Sequence, residues 1–67
     1  MEPPTNLTMA ELEALGILKD GKRLKEIAFD LGVTEGAVKQ RLKNAKTKLG
    51  AKTGTQAAAL ASQYGLI

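Results

Sequence analysis

The chain has 67 residues, a formal net charge of +3, no cysteine and no histidine. A chain of this length forms a single small domain of modest stability, and without cysteine it has neither disulfides nor thiolate metal sites. Because histidine is also missing and no carboxylate cluster marks a pocket, we expect no enzyme activity and no cofactor.

The charges are divided unevenly along the chain. All seven acidic residues lie at or before Glu35, whereas the residues after it include basic side chains and no acid. These later basic residues are Lys39, Arg41, Lys43, Lys46, Lys48 and Lys52. Because like charges on one folded surface repel each other, this block indicates a surface that meets an anionic partner.

Residues 1–6 precede the first helix signal and contain Pro3 and Pro4, which favour an extended tail or linker. The folded domain is therefore expected over residues 7–67. The N-terminal segment lacks a signal-peptide pattern, and no apolar run approaches the roughly 20 residues that cross a bilayer. We expect a cytoplasmic protein with no membrane partner.

Two helices are predicted in the first half of the chain. Thr8 and Glu11 form a capping-box pattern, which starts a helix over about Met9–Lys19. The apolar stripe of this helix consists of Ala14, Leu15 and Leu18. A second helix is predicted over about Leu24–Leu31. Its inward residues are Leu24, Ile27, Ala28 and Leu31.

The spacing of three small or apolar residues predicts a helix-turn-helix. Ala28 is followed by Gly32 four positions later and by Val38 six positions after that. The alanine lets two helices approach, the glycine allows positive φ after the first of them, and the valine packs back against it. Thr34 is expected to cap the N-terminus of a third helix over about Glu35–Leu49.

The third helix has a narrow apolar stripe beside a row of basic residues. The stripe consists of Val38, Leu42, Ala45 and Leu49. The polar residues around its exposed side are Lys39, Lys43 and Lys46 on one flank, Gln40 and Asn44 next to them, and Arg41 and Lys48 on the far flank. The helix therefore has one buried side and one side available to a partner.

Thr53 and Gln56 form a second capping-box pattern, which starts a fourth helix over about Gly54–Tyr64. Its inward residues are Ala57, Leu60, Ala61 and Tyr64. The small residues that point elsewhere, as a plain solvent-exposed face or as a candidate face for a weak homodimer, are Ala58, Ala59 and Ser62. Leu66 and Ile67 are expected to fold back on the core of an all-α, four-helix domain.

An α-helix fits the major groove of DNA, where each base pair presents its own pattern of donors and acceptors. A lysine donates to guanine and a glutamine grips adenine. The predicted base contacts, on the exposed side near the N-terminus of the third helix, are Lys39, Gln40 and Lys43. The predicted phosphate contacts, which position the protein without reading sequence, are Lys25, Thr34, Arg41, Lys46 and Lys48.

Short motifs spread over nearly the whole chain after residue 6 add a family resemblance. They are LTxxE at Leu7–Glu11, Gly21, KEIA at Lys25–Ala28, LGVT at Leu31–Thr34, VK at Val38–Lys39, KLG at Lys48–Gly50 and TQAA at Thr55–Ala58. In this order and spacing the chain resembles the LuxR-type DNA-binding domain of bacterial transcription regulators. The resemblance implies a bundle-like four-helix fold with a central helix-turn-helix, related to winged helices but without a wing.

The resemblance also implies partners. Members of the family bind double-stranded DNA, often dimerise through the last helix, and follow a sensor domain such as an acyl-homoserine-lactone pocket or a phosphorylation receiver. RNA polymerase is therefore an expected partner and the bacterial nucleoid an expected location. The Arg41–Ala45 stretch is similar to the quorum-sensing branch. We expect the chain to be a domain excised from a longer regulator.

The chain departs from the family pattern at three positions. Ala37 stands where a phosphate-contacting threonine is frequent, Arg41 stands where histidine is frequent, and Gly54 stands where arginine is usual. Arg41 still offers a phosphate donor, whereas Ala37 and Gly54 offer no polar side chain. The resemblance therefore does not supply a phosphate contact from these last two positions.

Two other interpretations stay open. The promoter-binding C-terminal domain of a sigma factor has a helix similar to the third one, although that domain normally ends soon after it. A protein-interaction module with the same fold and no DNA binding would use Phe29, opposite the inward side of the second helix, or the small residues of the fourth helix.

Overall fold

The computed structural model describes residues 6–67, so the tail predicted over residues 1–6 lies outside them except at Asn6. Within the described range the chain forms four α-helices and no strand. They are α1 (Met9–Lys19), α2 (Leu24–Leu31), α3 (Glu35–Leu49) and α4 (Gly54–Gln63). The all-α prediction is confirmed, and α4 ends one residue early because Tyr64 is its C-cap. In this part of the chain no helix is long and apolar enough to cross a membrane.

Side-chain caps begin α1 and α4 where the sequence predicts them. Thr8 Oγ1 accepts a hydrogen bond from the Glu11 N–H at 3.2 Å, and Glu11 Oε1 accepts one from the Thr8 N–H at 2.8 Å. Thr53 Oγ1 accepts from the Gln56 N–H at 3.0 Å. The Gln56 side chain differs from the prediction, because it accepts from the N–H of Lys52 at 2.7 Å and not from that of Thr53.

Two hydrophobic clusters form the core, and α1 and α3 contribute to both. The first cluster, where α1, α2 and α3 meet, consists of Ala14, Ile27, Ala28 and Val38. The second cluster, where α1, α3 and α4 meet, consists of Leu15, Ala45, Ala57, Ala58 and Ala61. Leu42 packs against both clusters and connects them along α3. The orientation of α3 is therefore determined by contacts with the three other helices.

The inward face of α4 is wider than predicted. Ala57 and Ala61 are fully buried as expected, but Ala58, which was expected to point outward, is only 4% exposed. Because α4 packs against α1 and α3 at once, it buries two adjacent rows of small residues and not a single stripe. The prediction that Ala58 belongs to a dimer face is therefore wrong, whereas Ala59 is exposed and Ser62 is half-buried.

The last residues fold back on the second cluster, as the sequence predicts. Gly65 adopts a positive φ of 73°, which turns the chain after α4. The Leu66 N–H then donates to the Ala61 carbonyl at 2.8 Å. Leu66 and Ile67 pack against the cluster and cover its outer edge.

Candidate nucleic-acid interface

The turn between α2 and α3 has the geometry that the alanine, glycine and valine spacing predicts. Gly32 adopts a φ of 67°, and the following Val33 N–H donates to the Ala28 carbonyl at 3.0 Å. Thr34 Oγ1 accepts from the Ala37 N–H at 3.1 Å and caps α3. Val38 is fully buried in the first cluster, beside Ala28. The turn and this buried contact together hold α3 against α2.

The buried residues of α3 determine which of its side chains face outward. Val38 and Ala45 are fully buried, so the opposite side of the helix is presented to solvent. All three predicted base-contacting residues, Lys39, Gln40 and Lys43, are exposed. Among the described residues, neither Lys39 nor Lys43 has a carboxylate within the 4.0 Å of an ion pair. This exposed side is cationic and its charges are available to a partner.

A hydrogen bond between two exposed amides was not predicted from the sequence. Gln40 Nε2 donates to Asn44 Oδ1 at 2.9 Å, one helical turn further along α3. The signal for it was present, since residues four apart on a helix are neighbours and glutamine and asparagine pair at that spacing. Asn44 therefore joins the predicted base-contacting residues on the same surface.

The predicted phosphate-contacting residues differ in exposure. Lys25 on α2 and Thr34 before α3 are exposed, whereas Arg41 and Lys46 are half-buried on opposite flanks of α3. Thr34 accepts a hydrogen bond at its hydroxyl oxygen, and the hydroxyl proton is still available for a phosphate. These four residues lie on the two helices of the motif and on the turn between them.

Lys48, the fifth predicted phosphate contact, has a different role. Its Nζ donates to Glu11 Oε1 at 2.8 Å, to Glu11 Oε2 at 3.0 Å and to the Asn6 carbonyl at 2.9 Å. An ammonium group has three donors, so these contacts use all of them. The flank of α3 that carries Lys48 faces the N-terminus of α1, where the capping carboxylate lies. Contrary to the prediction, the structure does not leave Lys48 free for a phosphate contact, which would have to break these hydrogen bonds.

Glu11 is a buried carboxylate that both caps α1 and binds Lys48. Its side chain is 4% exposed, against 25% for Lys48. Burial alone would raise the pKa of Glu11, but the hydrogen bonds from Lys48 and Thr8 and the Lys48 charge outweigh it, leaving this pKa below its ordinary value. Glu11 is therefore ionised at neutral pH and ties the C-terminal turn of α3 to the start of α1.

At the N-terminus of α2, one backbone N–H group already has a partner, the side chain of Glu26. Glu26 Oε1 accepts from the Arg23 N–H at 3.0 Å and places negative charge at this end of the helix. A phosphate bound to backbone N–H groups at this helix end would compete with that carboxylate. Lys25, one residue from Glu26, is exposed at the same end of α2.

Phe29 projects from the outer side of α2, where the sequence predicts it. Its side chain is 86% exposed. Together with Lys22, Lys25, Glu26 and Asp30 it lines an open depression of about 280 Å³. A phenylalanine this exposed contributes little to the core, so the depression is a candidate surface for a protein contact.

Two helices joined by a capped turn, with a basic exposed side on the second helix, define the helix-turn-helix class of proteins. Residues 5–61 match the family model described as bacterial regulatory proteins, luxR family. The chain belongs to this family, which is one of regulatory proteins and not of enzymes. The family match and the presence of α4, packed against the core, argue against the sigma-factor alternative, whose domain normally ends soon after a helix similar to α3.

Individual relatives agree with the family match. The chain is 44% identical over 63 residues to the transcriptional regulatory protein YdfI of Bacillus subtilis, covering 94% of the chain and 30% of that protein. It is 43% identical over 61 residues to LnrK of the same organism, covering 91% and 28%. It is 37% identical over 67 residues to the regulatory protein SdiA of Escherichia coli, covering 100% and 28%. The chain thus spans less than a third of the length of these relatives.

Proposed function

We propose that this domain binds double-stranded DNA in a sequence-specific manner, with α3 in the major groove. The observation that carries the proposal is the exposed side of α3. In its N-terminal half lie a glutamine and two lysines that form no ion pair with any described residue, and both clusters hold this helix. Lys39 and Lys43 would donate to guanine O6 and N7, and Gln40 would bind adenine N6 and N7.

The phosphate contacts in this proposal come from the two flanks of the motif. Lys25 and Thr34 would contact the backbone on one side of the groove, and Arg41 and Lys46 would contact it from α3. Lys48 is not among them, because its three donors are used within the domain. The contacts from these four residues would set the register of α3 without selecting a base.

We further propose that the domain serves a bacterial transcription regulator that acts on the nucleoid in the cytoplasm. The names of YdfI, LnrK and SdiA support this proposal, as does the small share of each that the chain covers. The remaining length of such a regulator would hold a sensor domain, either a ligand pocket of the quorum-sensing kind or a phosphorylation receiver. A weak homodimer through α4 now rests on Ala59 and Ser62 alone.

The test is a selection of bound sequences from a pool of duplexes with a randomised central segment. The wild-type domain should enrich one motif, and Lys39→Ala or Lys43→Ala should each lose about 1–3 kcal/mol of binding, mostly on that motif. Lys25→Ala should weaken binding to the motif and to random duplexes equally and reduce the salt slope by about 1. Lys19→Ala, at an exposed lysine in the last turn of α1, is the charge-matched control. A lack of enrichment, or an affinity that ignores salt, would contradict the proposal.

A protein contact at Phe29 is a second function that one observation favours. Its aromatic side chain is 86% exposed beside four charged residues, and RNA polymerase is the partner we propose for it. Phe29→Ser should leave DNA affinity and stability unchanged and weaken capture of purified polymerase on a promoter duplex. Equal capture by both proteins would remove this second function.

A further inference from the structure

Gln40 and Asn44 form a hydrogen-bonded pair of exposed amides on α3. Gln40 Nε2 donates to Asn44 Oδ1 at 2.9 Å, and both side chains are exposed on the side of α3 that lies opposite the buried residues Val38 and Ala45. A free glutamine side chain has several rotatable bonds and loses much rotamer freedom when it binds. The bond to Asn44 removes part of that freedom before DNA arrives.

The hydrogen-bonding groups of the two amides allow both contacts at once. A primary amide has two N–H donors and one oxygen with two lone pairs. Gripping adenine uses the glutamine oxygen and the N–H on the same side as that oxygen. The other N–H, on the opposite side, is not needed for the base and can stay bonded to Asn44. Asn44 keeps its own amide donors outside this pair.

We propose that Asn44 is a positioning residue for base reading: it orients the Gln40 amide so that this side chain selects an A·T base pair in the major groove. The inference rests on the proposed function, because it requires α3 to lie in the groove. Beyond the proposed function, the inference names a residue, Asn44, that acts through Gln40, and it names the base pair that Gln40 selects. Asn44 need not touch a base itself.

The test uses the best duplex from the selection above and its single-base-pair derivatives, measured with purified full chains. Gln40→Ala should identify the position that Gln40 reads, as the base pair at which discrimination is lost, and the wild type should prefer A·T there. Asn44→Ala should lower discrimination at that same position about two- to tenfold, the range expected for one hydrogen bond, with little change elsewhere. Alanine is a good helix former, so this variant should fold, and circular dichroism would verify it.

Two further variants separate positioning from other roles. In the double variant Gln40→Ala/Asn44→Ala, the loss should equal that of Gln40→Ala alone, since Asn44 acts through Gln40. Asn44→Asp keeps the acceptor, so it should restore discrimination at the A·T pair while lowering affinity for every duplex, because its carboxylate repels phosphates. A helix-stabilising pair with no role in reading would change the melting curve and leave discrimination at the wild-type value.

The outcomes distinguish a failure of the positioning role of Asn44 from a failure of the proposed DNA binding. If the wild type enriches a motif but Asn44→Ala keeps full discrimination, the positioning role is overturned and DNA binding stands. The same follows if the double variant loses more than Gln40→Ala, or if Gln40→Ala alters no position. If the wild type enriches no motif, the proposed function fails and the positioning role fails with it.

Discussion

Lys43 and Lys48 lie five residues apart on α3, and the fold uses them in different ways. Lys43 is exposed, and no described carboxylate lies within ion-pair distance of it. Lys48 is only 25% exposed and donates to both oxygens of Glu11. The difference comes from which neighbour each flank of the helix faces, since Glu11 lies at the start of α1, 37 residues away in sequence. A count of positive charges along α3 therefore overstates the charge available to DNA.

The two halves of α3 therefore differ: the basic side chain at its C-terminal end is bound within the domain, whereas those of its N-terminal half are exposed to solvent. The C-terminal half is fixed by the Lys48–Glu11 ion pair and by Ala45 in the second cluster. The N-terminal half is fixed on its inner side by Val38 and presents Lys39, Gln40 and Lys43 outward. Substitutions in the two halves should consequently affect different measurements.

The largest expected effect on stability is at the C-terminal half of α3. Lys48→Met keeps much of the side-chain volume but leaves the buried Glu11 carboxylate without its cation, so the free energy of unfolding should fall by about 2–3 kcal/mol. Lys43→Met, the matched substitution on the exposed side, should change it by less than about 0.5 kcal/mol. Urea denaturation followed by circular dichroism measures both. Equal losses for the two variants would show that the ion pair has no special role.

A second variant separates the charge of Glu11 from its capping role. Glu11→Gln keeps an oxygen that can accept from the Thr8 N–H, while it removes the charge that Lys48 binds. In the double variant Glu11→Gln/Lys48→Met, the total loss should be smaller than the sum of the single losses, because the two side chains act on each other. Strict additivity would mean that they are energetically independent.

The pH dependence of stability should follow the same residue, with a somewhat smaller effect. The pKa of Glu11 is lowered in the fold, so the unfolded chain binds more protons at mildly acidic pH than the folded chain does. The stabilisation is fully present above the ordinary glutamate pKa and is lost as pH falls from about 5 through the lowered value. Urea midpoints measured over this range should fall more steeply for the wild type than for Glu11→Gln. Parallel curves would contradict the assignment.

Most of the fold could be predicted from local signals. Caps at Thr8, Thr34 and Thr53 begin three helices within single turns of the chain, and the glycine at Gly32 ends α2 with its positive φ. The exposed positions of Lys39, Gln40 and Lys43 follow from the periodicity of one helix. Their contacts with bases remain predictions, since exposure alone does not identify what they touch.

Two features could not be predicted, because they depend on how separate helices pack. The Lys48–Glu11 pair requires α1 and α3 to lie side by side, and no sequence pattern near either residue predicts that the other is its partner. The burial of Ala58 depends on α4 lying against α1 and α3 together, which turns a residue outside the predicted stripe into the core. The Gln40–Asn44 bond is a different case, because its spacing of four was visible in the sequence.

The smallest expected effect on stability concerns Gly36, in the first turn of α3, within its exposed N-terminal half. A methyl group at this position would meet only Thr34 Oγ1, at 3.9 Å, so Gly36→Ala should stabilise the domain by about 0.5–1 kcal/mol through helix propensity. Gly54→Ala, in the first turn of α4, should gain less, because its methyl group would lie 3.1 Å from Leu18 Cδ2 and displace that side chain.

The value of the Gly36 variant is that stability and binding should move in opposite directions. If the start of α3 approaches DNA closely, the added methyl group should weaken binding to the selected duplex even though the domain melts at a higher temperature. Gly54→Ala, which alters an inward contact, should leave binding nearly unchanged. A Gly36→Ala domain that is more stable and binds as tightly as the wild type would move the contact surface away from the first turn, toward Gln40 and Lys43.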